Sequence, residues 1–145
     1  MPYKVKNKVF AYIIRKKGDK LEMLIFRHRD FPEAGLQVPA GTIENGEDKI
    51  SALRREVQEE SGLETFKQIT FLGTQQFIAT SKQEIHHRFF YQMLIEDSIP
   101  DEFEHIVSGN GLDKDLVFIY KWVEVLRLPK LIAEHDHFIK EIIFV

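Results

Sequence analysis

The chain has 145 residues, 43% hydrophobic and 30% charged, which fits one soluble globular domain over residues 1–145. Twenty Lys and Arg against twenty-three Asp and Glu leave a formal charge of −3. That argues against a general nucleic-acid binder, whose affinity comes from a basic surplus, while a small polyphosphate stays compatible because one local cation or metal ion can hold it. The absence of cysteine excludes a disulfide framework, a Cys-ligated zinc site and a thiol nucleophile. No apolar run nears the roughly eighteen residues of a membrane span. The basic start Met1–Lys8 leads into no signal-peptide core. These features point to a cytoplasmic protein with no membrane partner, and leave monomer and homodimer both open.

Val9-Phe10-Ala11-Tyr12-Ile13-Ile14 is short, apolar and rich in β-branched and aromatic residues, the signature of a buried strand. Lys17-Gly18-Asp19-Lys20 is a turn, so Leu21–Phe26 returns as the second strand of a hairpin. After the break at Phe31–Gly35, Leu36-Gln37-Val38 is a brief strand before Pro39. From Asp48 to Ser61 the period changes. Ile50, Leu53 and Val57 fall three and four apart and form one helical stripe, and Gly62 is placed to end that helix in a left-handed conformation. Phe66–Ala79 and Ile85–Ile95 form a long antiparallel pair, and Phe103–Val107 and Leu116–Val123 form another. Beyond Pro129, the spacing of Leu131, Ile132, His135, Phe138, Ile139 and Ile142 predicts a second helix. Strands with one internal and one terminal helix give an α/β fold with a mixed sheet between helices.

The chemistry concentrates in the first helix. At about 100° per residue, Glu60 lies about 40° and Glu59 about 60° to either side of Glu56. Three carboxylates therefore crowd one face, near the helix C-terminus, where the macrodipole disfavours anions. A sequence selected for helix stability alone would place Lys or Arg there. A hard divalent cation removes the conflict, since Mg²⁺ takes oxygen ligands from a few carboxylates, waters and phosphates.

Around those glutamates stand Gly41, Glu47, Arg55, Val57, Gly62 and Leu63. Their offsets match Gly-x5-Glu-x7-Arg-Glu-U-x-Glu-Glu-x-Gly-U at every specified position, with U a bulky aliphatic residue. A chance match somewhere in the chain has a probability on the order of 10⁻⁷ or less. The segment Gly41–Leu63 resembles the motif of the Nudix hydrolases, a MutT-like family, and the strand order extends the resemblance over nearly the whole chain. The resemblance implies an α/β/α sandwich with a mixed sheet. It also implies hydrolysis of a nucleoside diphosphate linked to another moiety, using Mg²⁺ or Mn²⁺. It assigns Glu56, Glu59 and Glu60 as metal ligands, with the Gly41 carbonyl able to complete the site. Arg55 would orient a carboxylate, Glu56 first, while Glu47 holds the loop and Arg55, and Gly62 serves the motif structurally. For the general base the resemblance offers Glu56 or Glu59 without choosing between them. Ala40 stands where many relatives have a second glycine, which bears on backbone approach to substrate.

Signals outside the motif are thinner. Arg27 and Arg29, at the end of the second strand, are candidates for phosphate contact. Glu104 is the candidate for an additional ligand or base, because similar enzymes often supply a glutamate from a later strand or loop. His86-His87 point to opposite strand faces and His135-Asp136-His137 do not share a helix face, so neither pair is expected to bind metal. Trp122 reads as core, and Ser108-Gly109-Asn110-Gly111 as a turn lacking a P-loop ending. Gln75–Ser81 lacks the proline typical of ADP-ribose cleavers and offers Phe77 where dinucleoside-polyphosphate hydrolases often have tyrosine. The signatures of the NADH and coenzyme A groups are absent as well. The partner is a small nucleotide or nucleotide-derived pyrophosphate of open identity. The alternative is a catalytically silent nucleotide-binding or regulatory module on the same fold; an mRNA-decapping role would want a basic track that the −3 charge does not supply.

Overall fold

The computed structural model describes residues 2–96 and 98–143. Its framework is a seven-stranded mixed sheet formed by β1 (Lys4–Lys17), β2 (Lys20–His28), β3 (Ala40–Thr42), β4 (Gln68–Ala79), β5 (Glu84–Leu94), β6 (Glu102–Ile106) and β7 (Val117–Glu124). The order is β4-β5-β1-β2-β7-β6, with β3 added on β1. β1 and β5 run parallel from Lys4↔Glu84 to Ile14↔Leu94, whereas the other pairs are antiparallel.

Alternation along β1 sends side chains to two cores, because successive residues of a strand point to opposite faces. Val9, Ala11 and Ile13 face helix α1 (Lys49–Ser61), where they meet Ala52, Leu53 and Val57. Phe10, Tyr12 and Ile14 face the other way, towards Leu131, Phe138 and Ile142. Both faces of the central strands are covered, which is why they read as continuous apolar runs. Ile50, expected in the helix stripe, is 39% exposed, and Ala52 takes its place in the core.

The hairpin and the two long strand pairs lie where the pattern placed them. Two further expectations fail. Leu36–Val38 is no strand; Gln37 makes only an isolated bridge to Phe26, and the strand forms after Pro39 instead. The C-terminal segment is not a helix but two 3₁₀ turns, Ile132–Glu134 and Ile139–Glu141. Ala133 and Glu134 take left-handed φ of 49° and 59°, which no α-helix accommodates. The tertiary contacts that replace the helix are specific. Ile132 N–H donates to the Leu36 carbonyl at 2.9 Å, and the Ala133 carbonyl accepts from Arg88 at 2.6 Å. The helical spacing of apolar residues thus serves a folded-back strap packed on β1 and β5. The α/β class holds, with the sheet lying between α1 and this strap. No helix among the described residues is long and apolar enough to cross a membrane.

Candidate active site

Helix α1 is fixed at both ends. The Asp48 carboxylate caps its start by accepting from Ser51 N–H at 2.7 Å, and Gly62 ends it at φ 79°. The last-turn carbonyls, which lack partners within a helix, are taken up by the sheet side. Glu59 C=O accepts from Ser108 N–H and from His105 Nε2, both at 3.0 Å. Glu60 C=O accepts from the buried Tyr120 hydroxyl at 2.8 Å. These bonds hold the acidic turn against the edge of the sheet.

Arg55 is the hub of that turn. Its Nε and Nη2 grip the Glu47 carboxylate at 2.8 and 3.0 Å, a two-point contact suited to guanidinium geometry. Nη2 also donates to the Thr42 carbonyl at 3.0 Å, tying the helix to β3. Nη1 reaches Glu56 at 2.9 Å and Glu59 at 3.3 Å. Glu47 in turn accepts from Glu44 N–H at 3.0 Å, so one carboxylate closes the loop and holds the arginine. Being paired with Arg55, Glu47 sits below the usual carboxylate range.

One cation is too few for this cluster. Glu56 lies against Gly41, where any Cβ would overlap its carboxylate. Burial pushes its pKa up to about 7, against the lowering pull of Arg55. Glu60 is 7% exposed, makes no ion pair among the described residues, and accepts a single 3.2 Å bond from Ala40 N–H. Its carboxyl is raised well above the ordinary value by burial first and by Glu56 next. Buried, mutually repelling carboxylates of this kind call for a cation. The donor set is entirely oxygen, which suits Mg²⁺ or Mn²⁺ over softer metals. Among the described residues no three acidic or histidine side chains converge into a finished cage.

Of the three glutamates, Glu60 lines a cleft of ≈ 590 Å³ whose walls also include Gly41, Lys8, Phe77, Arg88 and Asp113. It is large enough for a small nucleotide. Arg27 and Arg29 do not line it. Arg27 is exposed at the end of β2, and Arg29 pairs with Asp30 at 3.2 Å. Glu104 is not brought to the carboxylates either. It is exposed and faces Arg29 at 3.9 Å, while its neighbours Phe103 and His105 are the residues directed at α1. The alternation was right, but the side of β6 that meets the helix belongs to the odd-numbered residues.

A profile of the NUDIX domain matches residues 5–143. The chain belongs to the NUDIX family. No curated protein matches its sequence. Among solved structures it is similar to a MutT NUDIX hydrolase of Burkholderia pseudomallei, at 19% identity and TM-score 0.68, covering 97% of this chain and 99% of that one. It is also similar to the NUDIX domain of Shewanella oneidensis NrtR in complex with ADP ribose, at 18% identity and TM-score 0.65, over 94% and 84% of the two chains. A third is a C. elegans Ap4A hydrolase, at 21% identity and TM-score 0.61, over 94% and 93%.

Several residues of this NUDIX site carry no signal in the motif. Lys8 and Arg88 are direct partners on the parallel pair β1–β5. Arg88 shares its strand face with buried Phe90, so an inward-facing charge was present in the pattern, but its neighbour depended on strand order. Asp113 lines the cleft and adds its field to Glu60. Gly109 abuts Glu59. His86 is buried against the cleft and His87 exposed, on opposite faces as the alternation required. Trp122 is core, under the Arg15 guanidinium at 4.4 Å.

Proposed function

We propose that this NUDIX chain hydrolyses a pyrophosphate bond in a nucleoside diphosphate linked to another moiety, with Mg²⁺ or Mn²⁺ as cofactor. The observation that carries this is the gathering of Glu56 and Glu59 on one guanidinium, one helical turn from the buried Glu60 that lines a cleft of ≈ 590 Å³. Glu56, Glu59 and Glu60 would hold the ion, with the Gly41 carbonyl beside them. When bound, it neutralises phosphate charge and makes a water more acidic. The protein's own part is to place the acids. Arg55, clamped by Glu47, fixes Glu56 and Glu59, and one of these two takes the proton of the attacking water. Displacement at phosphorus then separates the two phosphate halves. The cleft gives the substrate's other moiety a place beside the acids.

The ADP ribose bound by the NrtR domain and the Ap4A hydrolase likeness support a nucleoside-diphosphate-containing substrate. A catalytically silent module would be expected to have lost a motif carboxylate, and none is missing. The test is a Mg²⁺-dependent screen over nucleoside triphosphates, ADP-ribose, nucleotide sugars and dinucleoside polyphosphates, with products resolved. Cleavage should stop in excess chelator and return with Mg²⁺ or Mn²⁺. Undiminished hydrolysis in chelator, or no turnover of any of these, would overturn the assignment.

A further inference from the structure

Arg88 is a charge that the acidic site does not use. It stands on β5, 3% exposed, with no ion pair among the described residues. Its Nη1 donates to the Ala133 carbonyl at 2.6 Å and to Gln75 at 3.4 Å, while the buried Nε has no partner. Its guanidinium carbon lies 3.8 Å from the Phe77 ring centroid and 4.7 Å from that of Phe10. The two rings orient the guanidinium but do not neutralise it. Buried cations ordinarily pair with an anion, because desolvating them is costly.

The surrounding charges deepen the imbalance. Lys8, in register with Arg88 on the neighbouring strand, is itself partly buried. Its ammonium is held below the usual lysine value by burial first and by the field of Lys82 next. Two carboxylates reach Lys8 with their fields: Glu84, already engaged by Lys6 and by His86, each at 2.8 Å, and Glu56, held by Arg55 at 2.9 Å. Glu134, whose field reaches Arg88, is bonded to Gln75 at 3.0 Å. Lys8, Lys82 and Arg88 all line the same cleft as Glu60. One cleft thus has an acidic border and a basic border.

We propose that the basic border is an anion subsite in which Arg88, Lys8 and Lys82 hold a substrate phosphate that lies beyond the scissile linkage. This rests on the pyrophosphohydrolase assignment above and narrows its substrate class. Favoured substrates carry a phosphate beyond the scissile linkage, as in a nucleoside triphosphate or longer chain. A diphosphate whose other moiety is an uncharged sugar brings no third phosphate to this border. Phe77 is already stacked on Arg88, so an aromatic base has no free slot between Phe77 and Phe10.

The test is calorimetric titration of the full chain with inorganic tripolyphosphate in excess chelator, which separates binding from hydrolysis. Wild type should bind. Lys82→Gln, an exposed change that leaves the core untouched, should weaken binding about 3-fold, as expected for a solvated charge. Arg88→Met, an apolar replacement of similar length, should weaken it at least ~10-fold, with thermal unfolding to show that it folds. Glu59→Gln should bind as well as wild type or better. Equal affinity in wild type, Lys82→Gln and Arg88→Met, or no binding at all, would overturn the subsite. So would adenosine binding with the same dependence on Arg88, which would make this a base pocket. Mg²⁺-dependent hydrolysis combined with unaltered tripolyphosphate binding in both variants would sink the subsite and spare the hydrolase. Variant-sensitive binding without cleavage of any pyrophosphate would do the reverse.

Discussion

Glu59 and Gly109 are fitted to one another: a Cβ on residue 109 would lie 2.5 Å from the Glu59 carboxyl carbon and 2.7 Å from both its oxygens. Gly109 also holds φ at 93°, and Ser108 beside it donates to the Glu59 carbonyl at 3.0 Å. The loop after β6 thus presses on Glu59 as Gly41 of β3 presses on Glu56. Two backbone segments far apart in sequence set the positions of two acids on one helix.

Gly109→Ala should therefore act on the proposed metal site. The methyl group displaces the Glu59 carboxylate, and the positive φ adds roughly 1–2 kcal/mol of strain. The Mg²⁺ concentration needed for half-maximal activity should rise at least ~10-fold, while the protein remains folded. A metal titration of activity, with a melting curve beside it, decides the matter. An unchanged activation curve would mean that the contact with Glu59 is incidental.

Glu59→Gln and Glu60→Gln each keep side-chain volume and remove the charge that recruits a cation. Each should lower kcat at least ~10²-fold, which corresponds to ~3 kcal/mol of lost electrostatic stabilisation. Glu60→Gln has a second signature. Because Glu60 is buried without an ion pair, its replacement should raise the melting temperature of the metal-free protein at neutral pH. A variant with near-normal kcat at saturating metal would reduce that residue to a structural glutamate.

The motif made the acidic helix legible because its spacing repeats on one face and its capping residues, Asp48 and Gly62, act locally. The hairpin was legible for the same reason, since Gly18 at φ 66° turns the chain within the segment itself. What escaped depends on distant partners. β3 is three residues long and exists only because Lys8–Phe10 offers it an edge. Arg88 and Lys8 become neighbours through a parallel pairing that no local pattern encodes. The terminal strap has helical spacing, yet Arg88 and Leu36 claim its backbone groups, and Ala133 is left-handed. Glu104 shared the correct alternation with Ile106, but which side of an edge strand meets the helix is fixed by packing of Phe103 and His105.

The metal-free protein should lose stability as pH rises through the range set by Glu56. Its carboxyl titrates near 4.5 when unfolded and at about 7 when folded, so the folded state holds the extra proton between those values. The unfolded state then binds fewer protons, and stability falls with rising pH, by up to ~3 kcal/mol once above pH 7. His135 opposes this at the acid end. Its buried ring is lowered to about 3, so its contribution is gained as pH rises from 3 towards 6.5. Comparing wild type with Glu56→Gln cancels the histidine. The difference in melting temperature should widen in favour of the variant from pH 5 to pH 8 in chelator, and shrink when Mg²⁺ is added. A difference that stays flat with pH would show that Glu56 is not desolvated in solution.

Asp113 rather than Glu104 is the acid outside the motif that meets the cleft. It is partly buried on the loop before β7, lines the same wall as Glu60, and raises the Glu60 carboxyl through its charge. Glu104 is exposed at the edge of the sheet beside Arg29, a pairing of 3.9 Å between solvated groups that contributes little. Asp113→Asn should therefore lower kcat/KM at least several-fold, on the order of 1 kcal/mol, and shift the acidic limb of the pH–rate profile downwards. The shift follows from sign: removing a neighbouring negative charge makes Glu60 and the carboxylates around it ionise at lower pH. Glu104→Gln should leave both kcat and the profile unchanged. Measuring kcat against pH for these two variants beside Glu56→Gln separates the possibilities. An acidic limb that vanishes in Glu104→Gln would bring strand β6 back to the reaction.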